Sequence, residues 1–269
     1  MIEEKTKTAV LSKGHGVQNE SDYLLCLALD IGEGMLKCGA EIGRVENTIE
    51  RICRAYGAVH VEVFSIISAI IAGVRMADGS YSSQIRRVYN SENNYYKLEI
   101  FNGISRQICK KTPPLDEVDR MIKEAKAKKL YPVWLKPIAA IVATGGFAMF
   151  FGGSFLDGIA AGLVGAIICI MTILLDKKMN SLAKTLVSSL VGGFLSCFAV
   201  KLGIGENLSA IMVGSIMILI PGLAFGTALR DLLDGDLLSG SLRTIQSLIF
   251  AVMIAFGYML AMIVVGGTF

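Results

Sequence analysis

The chain has 269 residues, 53% of them hydrophobic, and a mean hydropathy of +0.58, which is more apolar than a soluble domain of this size carries. A formal net charge of +3, with no basic stripe interleaved with aromatics, excludes nucleic acid as a partner. Six scattered cysteines (Cys26, Cys38, Cys53, Cys109, Cys169, Cys197) make no CxxC pair and no histidine sits at metal spacing, so neither disulfides nor a metal site are expected.

Charge divides the chain sharply. Residues 1–136 hold 20 of the 26 Lys and Arg and 17 of the 23 Asp and Glu, and the rest keeps six of each sign. The expectation is an α+β cytoplasmic domain at 22–131 behind a flexible lead-in at 1–21, then an all-α membrane domain of five transmembrane helices at 132–269. The start, MIEEKTKTAV, has no apolar h-region, so the first half is expected to stay on the side where it is made.

From Asp22 to about Tyr56 the spacing predicts one long helix, its apolar stripe running Leu24, Ala28, Ile31, Met35, Cys38, Ile42, Val45, Ile49, Ile52 and Tyr56. A charged stripe beside it (Asp30, Glu33, Lys37, Glu41, Arg44, Arg51) reads as a solvated face, with Glu33–Lys37 and Glu50–Arg54 as favourable i,i+4 pairs. Gly39 falls inside this helix, a position that costs about 1 kcal/mol against alanine and points to close packing there. Residues 58–67 alternate and are β-branched, so they read as a strand; Ser68–Met76 is a second apolar segment, Ala77–Ser80 a turn and Tyr81–Tyr89 a further strand. Helices are expected over 94–110 and 115–129, separated by Pro113-Pro114. His60 is expected to be a packed or surface residue.

Five apolar runs follow, at about 135–152, 155–175, 182–200, 208–229 and 244–265, each near the roughly 20 residues that cross a bilayer. With the first half in the cytoplasm, Lys and Arg of the loops (Lys177, Lys178, Lys184, Arg230, Arg243) fall mainly on that side, and the C-terminus GGTF falls outside. Gly158…Gly162 and Gly222…Gly226 are both GxxxG patterns that allow close helix approach.

The most informative stretch is Ile220 to Arg243. Pro221-Gly222 falls inside the fourth apolar run, where a broken helix survives only if it is buried in protein or lines a cavity. Arg230, Asp231, Asp234, Asp236 and Arg243 then gather at its end, with Arg230–Asp234 at i,i+4 spacing and Arg243 able to close on Asp231 or Asp236. A harmless kink followed by a wetted loop is the alternative.

Two stretches carry a resemblance: Cys38-Gly39-Ala40-Glu41…Arg44-Val45-Glu46 and Pro221-Gly222…Arg230-Asp231…Gly235-Asp236…Ser239-Gly240…Arg243. Both are similar to motifs of the bacterial threonine/serine exporter family. The resemblance implies a secondary exporter of small polar metabolites in the bacterial inner membrane, multi-pass. Its pathway residues would be Pro221, Gly222, Gly226, Arg230, Asp231, Asp234, Asp236 and Arg243, and its cytoplasmic-domain motif Gly39, Glu41, Arg44 and Glu46. Full-length members have about ten spans, so five imply the large subunit of the split form, working with a small membrane partner in opposite orientation as part of an oligomer. The substrate would be threonine or serine, or, as associated with split members, a dicarboxylate such as succinate.

No catalytic residue and no cofactor are assigned. There is no GxxxxGK[ST] or GxGxxG, so coupling to an ion gradient is expected. An integral-membrane hydrolase using Glu41, Arg44 and Glu46 or the Asp231/Asp234/Asp236 cluster would need a constellation such as GxSxG or HExxH, which is absent. A membrane-anchored ligand sensor is the other alternative, although five spans with an interior Pro-Gly exceed what anchoring requires.

Overall fold

The computed structural model describes residues 20–89, 93–128, 131–176 and 178–266. They fall into two compact units, one of residues up to Lys128 together with Arg230–Gly240, the other of the stretch up to Leu229 together with residues from Ser241. The lead-in before Glu20, Lys177 and the last three residues lie outside the described residues.

In the first unit two helices form where the periodicity suggests one: α1 (Glu20–Lys37) and α2 (Ile42–Ala55). Gly39 is the reason. It adopts φ +87°, and its N–H and that of Ala40 bond back to Leu36 O and Met35 O, both at 3.1 Å, which closes α1 with a left-handed stop that only glycine enters cheaply. Apolar spacing runs unbroken through the stop, so periodicity alone could not show it. The expected close approach is present, since a Cβ on Gly39 would lie 2.4 Å from Asn93 Oδ1.

α1 is buried on most sides and is the centre of the unit's core. Its charged stripe is paired rather than solvated: Asp30 meets Arg86 at 3.2 Å and Lys126 at 2.8 Å, and Glu33 meets Lys37 at 2.5 Å. Glu50 and Arg54 also pair, at 2.8 Å. The strands β1 (Ala58–Ile66), β2 (Ala69–Met76) and β3 (Tyr81–Arg87) make an antiparallel sheet in the order 1-2-3. Gly79 at φ +85° and Asp78 Oδ1, accepting from Ser80 N–H at 2.8 Å, build the turn between β2 and β3. Val61, Ile70, Ala72 and Val74 face the core, while the aligned row Phe64–Ile71–Ile85 faces outward. His60 is a surface residue, its Nε2 3.0 Å from Glu62 Oε1. Helices α3 (Tyr95–Lys111) and α4 (Leu115–Ala127) complete the core through Phe101, Ile108 and Ile122.

The second unit contains α5 (Leu135–Phe150), α6 (Phe155–Leu175), α7 (Ser181–Lys201), α8 (Leu208–Ile216), most of α9 (Gly222–Leu233) and most of α10 (Leu237–Gly266). Among the described residues three helices, α6, α7 and α10, are long and apolar enough to cross a membrane, rather than the five expected. α5 has 16 residues, a length of about 24 Å against a hydrocarbon core of about 30 Å. The fourth run is split: α8 stops at Ile216, residues 217–221 are non-helical, and α9 starts at Gly222. Pro221 explains the break, because its ring removes an N–H and clashes with a helical carbonyl one turn back.

Glycine acts unevenly here. In the α5–α6 hairpin a Cβ on Gly145 would lie 2.7 Å from Gly158 O, and one on Gly162 3.2 Å from Ile141 O, so the first GxxxG is a true close contact. Among the described residues a Cβ on Gly222 or Gly226 would meet nothing within 4 Å outside its own helix, so no described helix packs against the second pattern. Asp157, 1% exposed, ties two loops together: Oδ1 accepts from Glu206 N–H at 2.8 Å and Asn207 N–H at 2.9 Å, and Oδ2 from Ser154 N–H at 2.7 Å. These amides and Ser154 Oγ–H, 2.8 Å from Oδ2, use its acceptor capacity, which gives a buried carboxylate a structural role.

Candidate functional site

The first unit brings the two sequence motifs together. Each has the same local form, a helix stopped by a left-handed glycine and restarted at once. Gly39 stops α1 before α2, and Gly235, at φ +94°, stops α9 before α10. In the second case Gly235 N–H bonds to Leu232 O at 3.3 Å and Asp236 N–H to Asp231 O at 2.9 Å, the pattern seen at Gly39. Gly240 closes the turn, as a Cβ there would lie 2.8 Å from Leu232 N.

The contacts between the motifs are polar and specific. Glu41, the N-cap of α2, has the extended backbone of a cap residue (φ −67°, ψ 146°), but its side chain caps nothing. Its carboxylate pairs instead with Arg230. Asp231 supplies the missing cap from 189 residues away: Oδ1 accepts from Ile42 N–H at 3.1 Å. Asp231 is 1% exposed, and a carboxylate at a helix start also meets the positive end of the helix dipole. Asp236 approaches the next turn, its Oδ2 3.7 Å from where a Cβ on Gly43 would stand.

One turn further along α2, Glu46 Oε1 accepts from Ser65 N–H at 2.6 Å and Ser65 Oγ–H at 3.0 Å, tying α2 to β1. Burial raises the Glu46 carboxyl above its ordinary value, the Ser65 hydrogen bonds oppose the shift, and the charge of Asp236 adds to it.

Within the first unit the expected residues do not all meet. Arg230 pairs with Glu41 rather than with Asp234, which is exposed beyond it. Arg44 is exposed on α2. The three aspartates diverge, with Asp231 buried, Asp234 in solvent and Asp236 turned towards Gly43, so they do not converge as a hydrolytic or metal-binding set. Pro221, Gly222, Gly226 and Arg243 belong to the second unit, the first three at or just after the helix break and Arg243 half-exposed on α10. Ser65 is the partner that sequence reasoning missed. Its one signal was an inward position in the alternation of β1.

This arrangement of the two motifs can be set beside known proteins. The family model of the threonine/serine exporters, ThrE, matches residues 26–265. The chain belongs to the threonine/serine exporter family. Among curated relatives, the "Probable threonine/serine exporter" of Mycobacterium tuberculosis is 22% identical over 241 residues, covering 89% of this chain and 46% of that protein. The "Pheromone-regulated membrane protein 10" of Candida glabrata is 23% identical over 252 residues, covering 81% of this chain and 31% of that protein. The chain thus spans about half, or less, of the length of the curated relatives it matches. No solved structure matches it. Both motifs lie inside the matched region, and with the apolar helices α6, α7 and α10 they make this family member a multi-pass membrane protein.

Proposed function

We propose that this chain is one subunit of a secondary exporter that moves a small polar metabolite across the bacterial inner membrane. The solute is threonine or serine, or a dicarboxylate such as succinate. A small membrane partner supplies the remaining spans, the first unit is cytoplasmic and the C-terminus is outside. The observation that carries this reading is the broken fourth run. A non-helical segment at 217–221 inside a set of apolar helices exposes backbone polar groups that hydrocarbon would not tolerate, and transporters use such breaks to contact substrate. Family membership and the half-length match support it. Arg230 and Asp231, which follow the break in sequence, are gripped within the first unit by Glu41 and Ile42, and release of this grip gates transport.

The test is efflux of labelled threonine, serine and succinate from cells expressing the chain with and without a small membrane protein encoded beside it. Efflux of one solute is expected only with both proteins. Full efflux from liposomes containing the single chain would refute the subunit assignment, and no efflux of any of the three with both proteins would refute the exporter.

A further inference from the structure

The outward face of the sheet in the first unit does not look like a face meant for water. Strand pairing sets Phe64, Ile71 and Ile85 in one row across β1, β2 and β3, and Tyr81 stands two outward rows away on β3. Their exposures are 57%, 42%, 73% and 65% in that order. With whole-residue areas of about 150–250 Å², that leaves about 450 Å² of apolar surface open on one copy, a patch of the size that marks an interaction site. An antiparallel sheet packed on one side alternates apolar-in with polar-out, and this row breaks the alternation. Among the described residues it stays uncovered.

Beside the row lies a hollow of about 550 Å³, bordered by Phe64, Ile71 and Tyr81 and by the carboxylates of Glu46, Glu50 and Glu62. Gly73 opens it, because the middle strand carries no side chain there, and a Cβ would lie 3.0 Å from Tyr81 Oη. Glu46 is tied to Ser65 and Glu50 to Arg54, so Glu62 is the carboxylate that stands on the outward face itself. Arg75 is exposed on β2 in the adjoining outward row and makes no ion pair among the described residues. An acidic hollow with aromatic walls is what a guanidinium fits, through carboxylate contacts and the ring faces together. The face therefore carries both halves of one contact, left unjoined within a single copy.

A second copy joins them. Turned about a two-fold axis parallel to β2, it lays its sheet on this one, β1 over β3, at the spacing of about 10 Å between stacked sheets. Ile71 then meets Ile71, and Phe64 meets Ile85 at both ends of the row, so the apolar row is complementary to itself, as a two-fold interface requires. Arg75 of each copy comes within a long side chain's reach of Glu62 and the hollow of the other. The apolar area alone is over half of the roughly 800 Å² per partner of a standard interface, and the charged rim adds to it. We infer that two copies of this chain dimerise through the outward face of the sheet, with Ile71 on the axis and Arg75 of each copy seated in the acidic hollow of the other. This goes beyond the exporter reading and does not depend on it.

The experiment is cross-linking of the full chain in membranes, with any subunit that accompanies it, by a short bis-maleimide. Ile71→Cys places a thiol on the axis. Glu99→Cys, exposed on α3, is the control, and the wild type gives the background of the native cysteines, which are buried or half-buried. Ile71→Cys should convert most of the protein to a species of twice 28.9 kDa, with the control at background. Adding Arg75→Glu should cut that yield about tenfold by setting like charges against each other, and adding Glu62→Arg as well should restore it. No doubled species at Ile71→Cys, or one equally strong at Glu99→Cys, would overturn the inference. So would an adduct at Ile71→Cys between this chain and a smaller membrane protein, which would give the face to that subunit. A doubled species that Arg75→Glu leaves unchanged would overturn the two-fold seating, because the arginine would then lie away from the hollow.

Discussion

Replacing Asp231 by alanine removes the acceptor for Ile42 N–H, the first amide of α2. Losing a helix cap costs about 1 kcal/mol, and a buried N–H left without a partner costs about 1–3 kcal/mol. The two figures describe overlapping effects, so the local cost is about 2 kcal/mol, a factor of about 30 in an opening equilibrium. Glu41 cannot take over cheaply, because its carboxylate is held by Arg230. The assay is hydrogen exchange on the full chain in detergent, following peptides that cover the first turn of α2. Asp231→Ala should raise exchange there about 30-fold and leave the centre of α1 unchanged. Asp231→Asn keeps an oxygen in the same place and, asparagine being as good a cap as aspartate, should stay near wild type. Equal protection in wild type and Asp231→Ala would refute the capping role. Equal damage in the two variants would show that charge matters there and the acceptor does not. An Asp231→Asn protein that keeps its helix but loses efflux would place the negative charge itself in the gate.

The two GxxxG patterns should separate cleanly. Gly158→Leu would drive a side chain into Met149 and Gly145 O and should abolish monodisperse folding in detergent, whereas Gly226→Leu, whose Cβ meets nothing within 4 Å among the described residues, should elute like wild type; matching profiles would contradict the packing. Glu46 should make the first unit less stable as pH rises. Its carboxyl is raised by burial, so above the ordinary glutamate value the unfolded chain loses a proton that the folded one keeps, and stability falls through that window. Glu46→Gln should flatten that part of the pH profile of thermal unfolding, and an unaltered slope would rule the group out. Gly39→Ala should cost about 1–2 kcal/mol for the left-handed backbone alone, read as faster exchange at the α1–α2 junction, and an unchanged rate would contradict the assigned stop.

Much of the first unit was legible because period and turn chemistry are local. The alternation of residues 58–67 and the Asp78-Gly79 turn depend on neighbours a few positions away, and β1 and the β2–β3 turn form where they indicate. The helix over Asp22–Tyr56 failed for the opposite reason. Its apolar stripe continues across Gly39, so the 3.6-residue period survives a stop that only the backbone torsion reveals. The solvated stripe holds at Arg44 and Arg51 and fails at Asp30, because Arg86 and Lys126, which meet Asp30, are 56 and 96 residues away in sequence.

The sequence by itself determined the charge asymmetry between the halves, the apolar runs, the Pro-Gly break and the two motifs, since each is a property of a short window and of side-chain chemistry. Only the tertiary structure decided which of these act together. It joined Glu41 to Arg230 and Ile42 to Asp231 over 189 residues, and it left Asp234 and Arg44 in solvent. Among the described residues it gave one GxxxG a close neighbour and the other none, and it set three hydroxyls from three helices in contact. The reason is geometric. A carboxylate in sequence carries no sign of which distant amide will need it, because a helix start left uncapped by its own residues exists only once the chain has folded.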